Sequence, residues 1–281
     1  MTISVIDVFS PQFKRSIVVS SDSDLWLLSS VLSRITATSI TVNNNCGNSA
    51  SFTSLDFTPF SLLRQITIGD NCFGSVREVK LSGLSELESV VVGSNSFRKS
   101  NSGGLYMNGC SSLKTVMIGD GSFASFAVFD ITDAPFLEEV RIGNGCLKNV
   151  DLFVLSGLSG LESVMIGSDS FSQRSGHFAL TSPSVKALVV GDGSFTQYTD
   201  CSIRDVSSLE TLSIGDNSFV VSSLELKRLN GLKSVVIGRR GFENCERAVF
   251  ESLPELTSIQ LGWSALAFKD IDNATLVMKS V

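Results

Sequence analysis

Leu113-Lys114-Thr115-Val116-Met117-Ile118-Gly119-Asp120-Gly121-Ser122-Phe123 reads L-x-x-V-x-I-G-x-x-S-F, and close copies recur along most of the chain. The glycine that closes the aliphatic run stands at Gly69, Gly93, Gly119, Gly143, Gly167, Gly191, Gly215, Gly238 and Gly262. The steps between them are 24, 26, 24, 24, 24, 24, 23 and 24 residues. Nine copies at a period of 23–26 residues specify a solenoid, because a unit this short can bury its apolar face only against its neighbours.

The columns define the unit. Six residues before each glycine stands Leu or Val, and three before and immediately before it stand Val, Ile or Leu. Four after it stands Phe, replaced by Leu147 and Leu266 in two copies. The β-branched pair spaced by two is a strand, and the phenylalanine column should stack as an aromatic spine. A second alternating pair precedes it in each unit, as in Leu55/Phe57, Val79/Leu81, Leu105/Met107, Phe129/Ile131, Phe153/Leu155 and Leu224/Leu226. Each repeat thus holds two short strands, no room for a full helix, and turns such as Gly69-Asp70-Asn71. In the copy ending at Gly191 a one-residue slip buries Phe178 and Leu180 in place of His177 and Ala179.

The fold class is therefore mainly β, a solenoid of about nine repeats over residues 53–268, about 43 Å long at ~4.8 Å per rung. Residues 1–52 lack the motif and read as a small α/β N-terminal cap. It has a strand over Ser16–Val19, a helix capped by Ser23 or Asp24 and running to about Arg34, and a strand over Ser39–Val42. The helix would bury Leu25, Leu28, Val31, Leu32 and Ile35. Residues 269–281 supply only a short C-terminal strand around Ala274–Met278.

Of the 281 residues 43% are hydrophobic and 18% charged, ample for a continuous core. A net charge of −6 argues against nucleic acid, whose binders need clustered Lys and Arg. No apolar run approaches the roughly 18 residues of a span, so no membrane insertion is expected. Met1 to Asp7 lacks a charged and then apolar leader. The expected location is cytoplasmic if that N-terminus is native, and the cell surface if the chain is part of a longer protein. Six cysteines without a C-x-x-C pair, and a single histidine, His177, exclude a zinc site; buried thiols in a reducing compartment are expected. No cofactor is implied.

L-x-x-[VIL]-x-[IVL]-x-x-[ND]-x-[FL] fits the leucine-rich-repeat frame, with Asn71, Asn95, Asp169 and Asn217 at its asparagine position. The Ile-Gly-x-x-Ser-Phe ending, and segments such as Cys110-Ser111-Ser112-Leu113-Lys114-Thr115-Val116-Met117-Ile118, resemble the BspA-like leucine-rich repeats over roughly residues 54–266. That resemblance implies a non-enzymatic adhesion or interaction protein of the cell surface. The absence of a leader in this chain departs from it.

A binding surface is sought where strands face outward. Two residues before the glycine the column runs Val91, Met117, Arg141, Met165, Val189, an apolar stripe holding one guanidinium, with Glu139 in the neighbouring outward column. Such a stripe suits a protein partner. The bland alternative is that stacked strands tolerate Val and Met on either face. Five before the glycine, Arg64, Glu88, Lys114, Glu138, Glu162, Lys186, Glu210 and Lys233 alternate in sign through most of the column, as neighbouring rungs prefer. An enzyme of the parallel β-helix kind would need converging acids; Asp130, Glu139 and Arg141 are the nearest, without a clear pair. The expectation is a non-enzymatic protein-interaction scaffold. The alternative is an adhesin-like protein binding glycan or matrix, for which outward aromatics such as Tyr106 would serve. The Gly-Asp-Asn turns lack the pattern of calcium-binding β-rolls, so no metal is assigned.

Overall fold

The aliphatic pair before each motif glycine forms a four-residue strand, from Gln65–Ile68 to Ser258–Leu261, with its two aliphatics inward. The structure, a computed structural model, describes residues 15–98, 102–269 and 274–280. The strands pair in parallel, each column in register with the next, as in Val116↔Val140↔Val164. They form one 11-stranded sheet that also takes in Arg15–Val19 and Ala37–Val42. The β-solenoid therefore has about 11 turns, two of them without the motif glycine. Ile17, Val19, Ile40 and Val42 fill the same inward columns and are as buried as their motif counterparts, so stacking begins within the segment read as the cap. The leader reading rested on residues 1–7, which lie outside the described residues.

The second strand of each turn lies on the opposite side. These strands form a four-stranded sheet (Ser54–Asp56, Glu78–Lys80, Gly103–Tyr106, Phe126–Asp130). Beyond it comes a six-stranded sheet (Leu152–Leu155, His177–Leu180, Asp200–Arg204, Ser223–Lys227, Arg247–Glu251, Thr275–Lys279). The paired hydrophobes expected here are buried, and Phe178 and Leu180 take the inward places that the slip assigns them while His177 is exposed. The spine forms: Phe97 lies 4.5 Å from Phe123, and Phe171, Phe195 and Phe219 succeed one another at 4.7 Å steps, nearly parallel. Stacked faces rather than edges result because identical rings repeat at one rung spacing.

The N-terminal helix differs from expectation. The chain forms a 3₁₀ helix over Asp22–Leu28 and, after Ser29-Ser30, a short α-helix over Val31–Thr36. The Asp24 carboxylate accepts from the Ser20 and Ser21 amides, and the first helix is capped at Ser21, two or three residues before the expected Ser23 or Asp24. The break turns Val31 and Ile35 to solvent (72% and 56% exposed), whereas Leu25 and Leu28 pack on the first rungs.

Two side-chain ladders lock the turns of the long sheet. Three residues after the glycine, Ser96, Ser122, Ser170, Ser194 and Ser218 are fully buried. The Ser194 hydroxyl donates to the Gly167 carbonyl (2.7 Å) and accepts from the Ser170 amide (3.1 Å), both one rung below. Cys72 and Cys146 hold the same place and donate their thiols to Asn43 and Gly119 carbonyls. One residue after the glycine, Asp70, Asp120, Asn144, Asp192 and Asp216, and Asn44 in the same place on the rung without the glycine, each accept from the backbone amide of the equivalent residue on the next rung, at 2.6–2.8 Å. The residues at the asparagine position of the repeat frame, Asn71, Asn95, Asp169 and Asn217, have φ of 54–58°. They are left-handed turn residues, which explains why Gly121, Gly145 and Gly193 substitute for them. The motif glycine answers a different demand: a Cβ on Gly119 would lie 2.6 Å from the Gly93 carbonyl carbon.

Candidate interaction surface

A four-residue strand offers two outward positions, so the exposed face of the long sheet is two columns wide. The structure places Val91, Met117, Arg141, Met165 and Val189 in one row, each the in-register partner of the next. Met165 and Val189 are 37% and 36% exposed, Val91 and Met117 half-buried, and Arg141 exposed. The Arg141 guanidinium donates to the Glu139 carboxylate at 2.8 Å on its own strand. The stripe's one cation is thereby neutralised by its neighbour, leaving an apolar row with a local ion pair at its middle. Val236, also 36% exposed, lies one rung beyond Ser213 and extends the row at lower apolarity.

The charged column beside it forms the pairs Arg64–Glu88, Glu162–Lys186 and Glu210–Lys233 at 2.9–3.1 Å. All are exposed, and such pairs contribute under about 1 kcal/mol each. Their use is in holding neighbouring rungs in register.

The acid and base candidates are not brought together. Asp130 lies on the last strand of the four-stranded sheet, whereas Glu139 and Arg141 lie on the long sheet. His177 meets Asp200 on the adjacent rung, and the next rung sets Ser223 beside Asp200 rather than beside His177. The hydroxyl is then two rungs from the imidazole, roughly 9–10 Å, beyond direct proton transfer. The six cysteines are buried and unbridged. Burial pushes the thiols of Cys110 and Cys146 up to about 11, which disfavours the reactive thiolate. Burial also raises Tyr198, whose hydroxyl donates to the Val150 carbonyl two rungs away.

Two concave features had no signal in the repeat pattern. A cleft of about 310 Å³ opens between the four-stranded and six-stranded sheets, among Val128, Phe129, Asp130, Asp151 and Leu152. It lies where Phe126–Asp130 and Leu152–Leu155 do not pair, and Phe126–Asp130 also carries a one-residue irregularity against Gly103/Gly104, where Phe126 and Val128 but not Ala127 find partners. A second hollow of about 380 Å³ lies at the N-terminal end between Trp26, Arg34, Phe52 and Asp56. Trp26 is 62% exposed there. Neither could be found from periodicity, because each arises where the pattern is broken or lacking.

Comparison with protein-family models, with curated proteins and with solved structures found no match.

Proposed function

We propose that this protein is a non-enzymatic protein-interaction scaffold of the leucine-rich-repeat kind, binding a protein partner through the outward face of its long sheet. The carrying observation is the in-register row Val91, Met117, Arg141, Met165, Val189, flanked by Glu139. A row of mostly apolar side chains offers anchor positions with little backbone ordering cost, because the strands beneath are fixed by two side-chain ladders in each turn. Charged residues at its margin supply a polar rim.

The test is affinity capture with mass spectrometry, comparing the wild type with the Met117→Glu/Met165→Glu variant. Specific loss of a partner in the variant, with circular dichroism and melting unchanged, supports the reading. Retention of every partner overturns the placement.

A glycan or matrix partner is the second reading, and the hollow beside Trp26 favours it, since an exposed indole next to Arg34 and Asp56 offers stacking together with polar contacts. Glycan-array binding that Trp26→Ala abolishes would select this reading over the first.

A further inference from the structure

The two ends of the solenoid are finished differently. At the N-terminal end Ile17 and Val19, the inward residues of the first strand, are 3% and 0% exposed, and Leu25, Leu27 and Leu28 pack against that end of the core. At the other end the inward residues of the last strands lie open. Along the long sheet Val235 and Ile237 are 0% and 1% exposed, but their in-register successors Ile259 and Leu261 are 38% and 50% exposed. Along the six-stranded sheet Ala248 and Phe250 are 0% and 3% exposed, but their successors Leu276 and Met278 are both 56% exposed. Trp263 beside them is 75% exposed.

We infer that the C-terminal end is a self-association surface, on which a second copy of this chain docks end to end about a two-fold axis. Three observations converge on that occupant. The bare residues are those that every inner rung stacks on another rung of the same kind, so the complementary surface is a rung with the same columns. Among the described residues only this end leaves its inward columns bare. At the N-terminal end Trp26, Val31 and Ile35 are exposed on the helices, but Ile17 and Val19 beneath them are buried, so no matching rung is offered there. The contact is therefore isologous, closing at two copies instead of growing into a fibre. The area also suffices. A large side chain carries roughly 150–250 Å², so these five leave on the order of 500 Å² bare per copy. Twice that is about 1000 Å², the low end for an interface and in keeping with a weak dimer.

The backbone agrees with the side chains. Ser258–Leu261 is the edge strand of the long sheet and Thr275–Lys279 that of the six-stranded sheet. Ser258–Leu261 carries no charge, bulge or proline of the kind that keeps edges from pairing. An axis passing through both sheets sets each edge antiparallel to its own copy. With Gln260 opposite Gln260, Ile259 faces Leu261, and both inward columns are covered.

The test uses the full 281-residue chain in light scattering coupled to size exclusion. A species of about 60 kDa at micromolar concentration, twice the 30.1 kDa chain, is expected. Leu261→Glu/Leu276→Glu should return it to the monomer with an unchanged circular dichroism spectrum, while Met165→Glu on the outward face should leave it dimeric. Gln260→Cys adds no charge and keeps the test sharp if the double variant fails to fold. Its paired positions lie about 4.5–5.5 Å apart, within disulfide reach, so mild oxidation should cross-link the wild-type-like dimer. A monomer at every concentration, assemblies that keep growing, or a dimer indifferent to the end substitutions and giving no cross-link would each overturn the inference.

Discussion

The long sheet runs unbroken through 11 strands, whereas the strands opposite it fall into groups of four and six. The same chain, with the same period, builds both. The difference lies in the turn that leaves each strand. Every strand of the long sheet from Gln65–Ile68 onward enters a turn in which the glycine stands four residues before Phe or Leu. Buried hydroxyls and exposed carboxylates or amides then reach backbone groups on the adjacent rung. From the glycine to the opposite strand the count varies: Val79 is 10 residues on, Leu105 12, Phe178 11 and Leu224 9. Fixed length with side-chain stitching gives a continuous sheet. Variable length with a less regular set of such bonds tolerates the slip at His177. The split after Asp130 falls between rungs whose inward Phe129 and Phe153 both stand 10 residues after their glycine, so length does not explain it.

That contrast can be broken by insertion, which should give the largest effect. A glycine added after Asp169 would carry Ser170 and Phe171 out of their columns and should remove several kcal/mol of stability or prevent folding, since a misplaced residue exposes what its neighbours stack on. A glycine added after Ser175, where the chain already varies in length, should lower the melting temperature only slightly. Equal losses at both sites would show that the two sides are equally constrained.

Single atoms offer a finer cut. Ser194→Ala strips both a donor and an acceptor from buried backbone groups and should cost about 1–3 kcal/mol in chemical denaturation. Ser182→Ala, on the side of the second strands, removes one bond to the Leu155 carbonyl and should cost about half as much. Amide exchange sharpens the comparison without substitution. Protection at Phe126–Asp130 and Leu152–Leu155, the strands facing the cleft, should fall at least about tenfold below that at Glu139–Ile142.

The smallest effect is electrostatic. Arg239 beside Asp216, and Arg228 beside Asp205, hold these carboxyls below the usual range, chiefly through side-chain hydrogen bonds. A lowered folded value means a contribution present above the unfolded value and lost as pH falls through the folded one, so stability should decline below roughly pH 4. Both groups are exposed and the slopes will be shallow. Asp216→Ala should nevertheless weaken the protein more than Asp205→Ala at neutral pH, because Asp216 also accepts the Arg239 amide from the next rung. The reverse order in paired melting curves would argue against the ladder.

Most of the rung was legible because burial in a solenoid is local and repeats. Phe123, Val116 and Ile118 are core for the same reason as their equivalents one period away, and one misread copy is corrected by its neighbours. The stripe from Val91 to Val189 was legible on the same ground, since alternation sets which residues face out. The ion pair between Glu139 and Arg141 was not, because it depends on rotamers. Ser96 and its equivalents could have been recognised as a column, yet nothing in a serine's identity says that its hydroxyl is buried and shared between rungs. The helix over Leu25 to Ile35 failed for a related reason. Helical spacing was present, but Ser29-Ser30 and the need to cover the first rung decided where the chain turned.

Residue spacing alone set the period, the inward columns, the two strands per turn and the aromatic spine, since one unit shares each of these with the next. Tertiary contacts were needed to decide that Arg15–Val19 and Ala37–Val42 stack as rungs without the motif, that the second sheet parts after Asp130, and that Ile259, Leu261, Leu276 and Met278 are left bare. Those outcomes depend on whether a rung finds a neighbour on each side, and a residue's own identity carries no record of what lies about 4.8 Å above it.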